Sequence, residues 1–247
     1  MALAVWALGF LILPVIDANN TGIDSLTAIC RALGIAAPAK QAPSTQTAVP
    51  ASMTAWDATT LDAVALGDPV AGAALAQDSC VACHDPNGLT TDPATIPSTT
   101  GQSARALYKQ LSDMKRGERP NDVMKPILDE LSQKQLADLA AYYSRLPRRN
   151  HDIHAIASAR GGAIVLATKG DVSRALPACE ACHGANAGGP LEVPMLTGQY
   201  PDYIAAQLRA YASGARKNDI YGRMRRIAGK LTDQEIKDVA AYYDAPR

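Results

Sequence analysis

Two runs in this 247-residue chain have the residue types and spacing for covalent and coordination chemistry: Cys80-Val81-Ala82-Cys83-His84 and Cys179-Glu180-Ala181-Cys182-His183. Two thiols set two residues apart can each add to one vinyl group of a porphyrin and tether it by thioether bonds. A histidine directly after them is then held beneath the iron as its proximal ligand. C-x-x-C pairs also build structural zinc clusters, but a zinc ribbon sets its pairs about 15–20 residues apart. Here they lie 99 residues apart, each with its own following His. The pattern reads as two covalently attached haem c groups, the first served by Cys80, Cys83 and His84 and the second by Cys179, Cys182 and His183.

The surrounding elements repeat as well. Gly101-Gln102 matches Gly198-Gln199, Leu111 matches Leu208, and Gly117, Arg119, Asn121 and Asp122 match Gly214, Arg216, Asn218 and Asp219, all at an offset of 97. After a three-residue insertion the offset becomes 100, and Ile127, Leu131, Ser132 and Ala140 to Tyr143 match Ile227, Leu231, Thr232 and Ala240 to Tyr243. Such duplication makes each half a control for the other. It puts Met124 and Met224 at one repeat position, as candidates for the second axial ligands. A thioether there raises the reduction potential. Met114 continues a stripe of Leu107 and Leu111 and reads as core, and Met195 aligns with Ser98. The competing histidines, His151 and His154, sit together between the halves and cannot reach two separate irons. Pro97 and Pro194 each precede the Gly-Gln pair by four residues. Their carbonyls are candidates to accept from the proximal imidazole N–H and fix its orientation.

The positioning elements are expected to be helices. One around Pro69–Asp78 leads into the first motif and another runs from Ser103 to Met114. A loop from Lys115 to Pro126 carries Met124. A last helix starts at Ser132, whose spacing to Gln135 is that of a capping box, repeated by Thr232 and Glu235. Three arginines, Arg223, Arg225 and Arg226, crowd the second methionine and read either as a solvated face or as groups that offset haem propionates or dock a partner.

Composition bounds the rest. The 24 basic residues balance the 24 acidic ones, so nothing points to nucleic acid. Aromatic content is low, with the single Phe at position 10, so two small domains would have thin cores that a buried haem would fill out. Four of the five cysteines belong to the motifs. That leaves Cys30, read as a small buried apolar residue, without a disulfide partner. Residues Met1 to Ile16 are apolar throughout, somewhat short of the roughly 20 residues of a spanning helix. They lack the basic start and small-residue cleavage site of a secretory signal. An uncleaved membrane anchor is expected, followed by an amphipathic segment (Ile23, Leu26, Ile29, Cys30, Leu33) and a linker over Ala36–Thr60. The expected organisation is 1–16 anchor, 17–60 amphipathic segment and linker, 61–147 first haem domain, 148–154 linker, and 155–247 second haem domain.

The Gly-Gln loops, the Gly-x-Arg-x-Asn-Asp stretch before each Met and the Ala-Ala-Tyr-Tyr endings resemble the cytochrome c4 family, dihaem class I cytochromes c that pass electrons toward terminal oxidases. The resemblance covers about Leu61–Arg247. It implies two tandem all-α class I cytochrome c domains related by a pseudo-twofold axis, which would here follow the transmembrane or signal-anchor helix read from the apolar run. On that match His84 and Met124 hold the first iron, and His183 and Met224 the second. The chain departs from the pattern in its apolar front segment and in the insertion Ile220–Gly222. The resemblance implies an electron carrier and not an enzyme, between a respiratory donor and a membrane oxidase or reductase; the apolar front segment adds the expectation of an inner-membrane anchor with the haem domains in the periplasm. A cytochrome subunit of a periplasmic dehydrogenase complex is the alternative. A dihaem peroxidase is a third reading, disfavoured because a Met candidate in both halves leaves no open iron.

Overall fold

The computed structural model describes residues 52–90, 92–149, 161–184 and 192–244. The expected anchor 1–16, the segment 17–33, His151 and His154 lie outside them. Among the described residues the chain is helical, with one isolated bridge between Asp171 and Leu176. No helix among them is long and apolar enough to cross a membrane.

The first lobe comprises α1 (Ala58–Ala65), α2 (Pro69–Ser79), α3 (Val81–His84), α4 (Ala104–Arg116), α5 (Met124–Asp129) and α6 (Gln133–Arg145). Local sequence explains most of the ends. Pro69 occupies the first turn of α2, where its missing N–H costs nothing, and the Asp68 carboxylate accepts from Val70 N at 2.8 Å. The α6 capping box forms as expected: Ser132 N donates to Gln135 Oε1 at 2.9 Å and Gln135 N to Ser132 Oγ at 3.3 Å. Gly117 ends α4 in the left-handed conformation, which a residue with a Cβ enters only at a cost.

The core of this lobe is made where α2 and α4 cross α6, around Leu128, Leu136, Ala140 and Tyr143. The α2–α6 crossing is a backbone contact, since a Cβ on Gly72 would stand 2.0 Å from the Asp138 carbonyl oxygen. Asp68 N reinforces it by donating to Asp138 Oδ1 at 2.7 Å. Chain order begins earlier than the linker composition of Ala36–Thr60 implies. Ser52 Oγ and Thr54 Oγ1 donate to Asp113 Oδ1 at 2.6 and 3.2 Å, and α1 starts at Ala58.

The second lobe repeats this plan with α7 (Gly161–Thr168), α8 (Glu180–His183), α9 (Pro201–Ser213), α10 (Arg223–Ala228) and α11 (Asp233–Tyr242). Its core gathers α7, α9, α10 and α11 around Ala167, Ile204, Val239 and Tyr243. One difference was not visible in the repeat. α2 runs directly into Cys80, whereas α7 ends at Thr168 and a looped segment with a short 3-10 turn (Val172–Arg174) intervenes before Cys179. Arg174 straps that segment to the last helix: its Nε donates to Asp171 Oδ2 at 2.6 Å and its NH2 to Glu235 Oε1 at 2.7 Å.

Two outcomes follow. Gly72→Ala should lower stability by about 1–3 kcal/mol through overpacking, read as a lower urea midpoint with unchanged slope. Hydrogen bonds from Arg174 hold Glu235 down at about 2, against 4.5 for a free carboxyl. A depressed carboxylate contributes stability that is complete above the unfolded value and is lost as pH falls through the folded one. The melting temperature of the second lobe should therefore drop between about pH 4.5 and 2, and drop less steeply in Arg174→Ala.

Candidate metal centres

Each Cys-x-x-Cys-His run is a single helical turn. Cys80 N donates to Ala76 O at 2.8 Å, so the first run hangs on the end of α2. Within it His84 N returns to Cys80 O at 3.0 Å, as His183 N does to Cys179 O at 2.9 Å. The turn brings each first cysteine inward, where Cys80 and Cys179 pack against the lobe cores. Cys83 and Cys182 are exposed, and none of the four is in a disulfide. His84 and His183 are buried. Asp85 then leaves the first turn with φ 43°, a conformation steadied by Asn87 N donating to its Oδ1 at 2.6 Å.

The proximal side is fixed most clearly in the second lobe, where His183 Nδ1 donates to the Pro194 carbonyl at 2.6 Å. In the first lobe the Pro97 carbonyl favours the protonated ring. It does not complete a hydrogen bond, and His84 Nδ1 is a buried nitrogen without a partner. Burial pushes both imidazoles below their ordinary value, with the proline carbonyls pulling the other way. Both shifts favour the neutral imidazole, the form in which histidine binds a metal. Beside each first cysteine lies a tyrosine of the final helix turn, Tyr143 near Cys80 and Tyr243 near Cys179. Burial raises both phenols well above their ordinary value, and neither hydroxyl has a hydrogen-bond partner.

Met124 and Met224 are half-buried and pack against the same two cores. Met124 does not lie on a loop as expected but is the first residue of α5, because Asn121 Oδ1 accepts from Val123 N at 3.1 Å and Met124 N at 2.8 Å. In the second lobe the insertion Ile220–Gly222 forms a 3-10 turn with Tyr221 at φ 56°, and the capping role passes to Asp219. Its carboxylate accepts from Arg225 N at 2.9 Å and from Arg225 Nε at 2.7 Å. Of the three arginines near this methionine, Arg225 is therefore bound inward, and Arg223 stacks over Tyr221 at 5.2 Å.

These residues suit a thioether-linked porphyrin. In each lobe two cysteines lie on one turn with a buried imidazole, an aliphatic sulfur packs against the same core, and a buried phenol lacks a partner. That is what a large planar group with one polar edge would meet.

The two sites are brought together by a reciprocal interface. Gln102 takes both polar groups of Met195, Oε1 accepting from Met195 N at 2.7 Å and Nε2 donating to Met195 O at 3.1 Å. Its repeat mate Gln199 does the same to Ser98, at 2.9 and 2.8 Å. Gln110 and Gln207 bridge two facing guanidinium groups, with Arg216 NH2 on Gln110 Oε1 at 2.8 Å and Arg119 NH2 on Gln207 Oε1 at 3.2 Å. Beside them Lys109 Nζ donates to Asp113 Oδ2 at 2.6 Å and to Asn218 O at 2.8 Å, while Asn218 Nδ2 donates to Asp113 Oδ2 at 2.7 Å. The Asp113 side chain has no exposure. Burial raises its carboxyl, but Lys109 and the surrounding donors outweigh that and hold it below its ordinary range. The sequence reading noted the Gly-Gln and Arg repeats without a role for them. Gln110 and Gln207, also 97 apart, were legible by the same offset.

Comparison with known proteins agrees with this geometry. A family model described as cytochrome c matches residues 69–146 and again 159–244. Cytochrome c4 of Thiocapsa roseopersicina is 36% identical over 180 residues, spanning 72% of this chain and 92% of that one. The thiosulfate dehydrogenase electron acceptor of Stutzerimonas stutzeri strain A1501 is 36% identical over 176 residues, 70% of this chain and 81% of that one. The crystal structure of reduced recombinant cytochrome c4 from Pseudomonas stutzeri superposes with a TM-score of 0.65 at 32% identity, covering 73% of this chain and all of that one.

Removing the buried carboxylate strands Lys109 in the interface. Asp113→Leu should cost about 3 kcal/mol in denaturant unfolding, and Asp113→Leu with Lys109→Met markedly less. Asn121→Ala removes the cap on Met124 and should cost about 1 kcal/mol.

Proposed function

The chain belongs to the cytochrome c family, and from that premise we propose that it passes single electrons from a respiratory donor to a membrane oxidase or reductase, held at the inner membrane by Met1–Ile16 with both lobes in the periplasm. It is a dihaem electron-transfer cytochrome with two covalently attached haem c groups, a carrier and not an enzyme. The bound haem supplies a reversible ferric/ferrous couple.

This chain's residues do the rest. Cys80 and Cys83 tether the first haem and Cys179 and Cys182 the second. His84 with Met124, and His183 with Met224, hold the irons. The observation that carries this reading is the duplicated site: two turns with a buried histidine, each with a half-buried methionine at the same repeat position packed on the same core. Methionine ligation would raise the potential and close the iron to substrate. His84 and His183 are buried, which would shield an iron–imidazole bond from water. The Pro194 carbonyl orients the His183 imidazole, and the Pro97 carbonyl favours the protonated His84 ring without closing a bond to it. The anchor rests on the apolar run of the sequence, and the periplasmic location on the export that haem c attachment requires.

A second reading is supported by a specific likeness. Relatives that align over most of their length are called thiosulfate dehydrogenase electron acceptors, and a solved thiosulfate dehydrogenase from Marichromatium purpuratum contains a region like this chain, at 30% identity and a TM-score of 0.62. On that reading the donor is a periplasmic dehydrogenase with which the chain forms a complex.

Intact mass of the membrane-extracted protein counts the haems and reports whether residues 1–16 remain; two haems on a full-length chain are expected. Met124→His and Met224→His should each abolish the methionine-to-ferric-iron charge-transfer absorption of one haem. Each should also shift that haem's redox equilibrium toward the oxidised form by at least tenfold, about 59 mV. Two unchanged spectra would refute the ligand assignment. Co-purification with a dehydrogenase subunit would favour the second reading.

A further inference from the structure

The interlobe glutamines do not bind arbitrary backbone. A peptide group has two ends, and the carbonyl of Pro194 and the N–H of Met195 belong to one such group. His183 Nδ1 donates to its oxygen at 2.6 Å and its N–H donates to Gln102 Oε1 at 2.7 Å. A single amide therefore links the second lobe's histidine to a side chain of the first lobe. The arrangement recurs in reverse: the Pro97–Ser98 peptide turns its carbonyl toward His84 and gives its N–H to Gln199 Oε1 at 2.9 Å. Both glutamines are held for the task. Each Oε1 also accepts from the following backbone amide, Ser103 N at 3.2 Å and Tyr200 N at 3.0 Å, and each Nε2 grips the carbonyl beyond the peptide. Ser98, Met195 and Gln199 are buried, where such chains of hydrogen bonds polarise one another more strongly than in water.

We propose that Gln102 and Gln199 are crossed positioning residues: each lobe's glutamine fixes and polarises the proline peptide that faces the other lobe's histidine, a peptide that accepts the histidine hydrogen bond in the second lobe and only leans on the ring in the first, so that the interface tunes both reduction potentials unequally. The proposal rests on His84 and His183 being the proximal ligands. An acceptor on the peptide N–H makes its carbonyl a stronger acceptor, which makes the imidazole a stronger electron donor and favours ferric iron. The effect is larger at the second haem, where the histidine bond is complete, than at the first.

The test is a potentiometric titration of the full-length haem-loaded protein, with each potential assigned to its lobe by the Met124→His and Met224→His proteins. Gln102→Leu removes the acceptor and should shift the second haem toward the reduced form by about threefold, roughly 30 mV at 59 mV per decade, while the first moves by less than a third of that. The Nδ1 proton of His183 in the reduced protein should move upfield in the NMR spectrum. Gln102→Glu, measured where the carboxylate is ionised, keeps and strengthens the acceptor and should shift the same haem in the opposite direction. Gln199→Leu should act on the first haem, and more weakly. A simple loosening of the interface would move both haems alike in the leucine and glutamate variants, and that result overturns the proposal. So does a second haem unmoved by either substitution at Gln102. Failure of the ligand assignment would show separately, as charge-transfer absorption that survives both methionine substitutions before any glutamine variant is read.

Discussion

A carboxylate taken out of water must be answered by donors, and Asp113 is answered from three directions. Lys109 and Arg116 reach it along its own helix, Ser52 and Thr54 from the segment before α1, and Asn218 from the opposite lobe. An uncompensated buried charge costs several kcal/mol, so relative placements of the lobes that withdraw Asn218 are penalised. The neighbouring guanidinium groups of Arg119 and Arg216 face each other and are tolerated because two glutamine oxygens lie between them. Apolar burial within each lobe makes the helices pack; polar satisfaction between them sets the register. The distance and orientation between the two haem sites are consequences of that register.

The halves share a plan but not a mechanism at every point. In the first lobe the Asn of the Asn-Asp pair caps the methionine helix. In the second, the insertion Ile220–Gly222 displaces that helix, Asp219 takes over the cap, and Asn218 is released to the interface. The looped segment before Cys179 likewise replaces the direct junction of α2 with Cys80, and Arg174 ties it back to α11. Equal letters at equal offsets therefore do different work once the backbone between them changes length.

This explains what was legible beforehand. Helix starts were, because Ser132 with Gln135 and Thr232 with Glu235 close their bonds within four residues and need no tertiary context. The pairing of thiols and histidine on one turn was legible for the same reason. The start of α5 was misplaced because what makes Met124 helical is one side-chain oxygen of Asn121, a signal the repeat masked because its partner Asn218 plays no such part. The order at Ser52 was missed because Ala, Pro and Thr composition describes a chain without neighbours, and Asp113 lies some sixty residues away. The bonds between Gln102 and Met195 span 93 residues. No local pattern announces them, although the shared offset of 97 marked the glutamines as worth asking about.

Lys109 and Asp113 face the opposite lobe, yet the repeat positions there are Ala206 and Ala210. In a homodimer of one such lobe every change is made twice, and a lysine–aspartate pair would meet its own copy across the axis. Joining the copies in a single polypeptide lifts that restriction. Each half can acquire a substitution that its twin does not share, so selection can tune the environment of one prosthetic group without disturbing the other. A gradient between two chemically identical centres becomes something a genome can write.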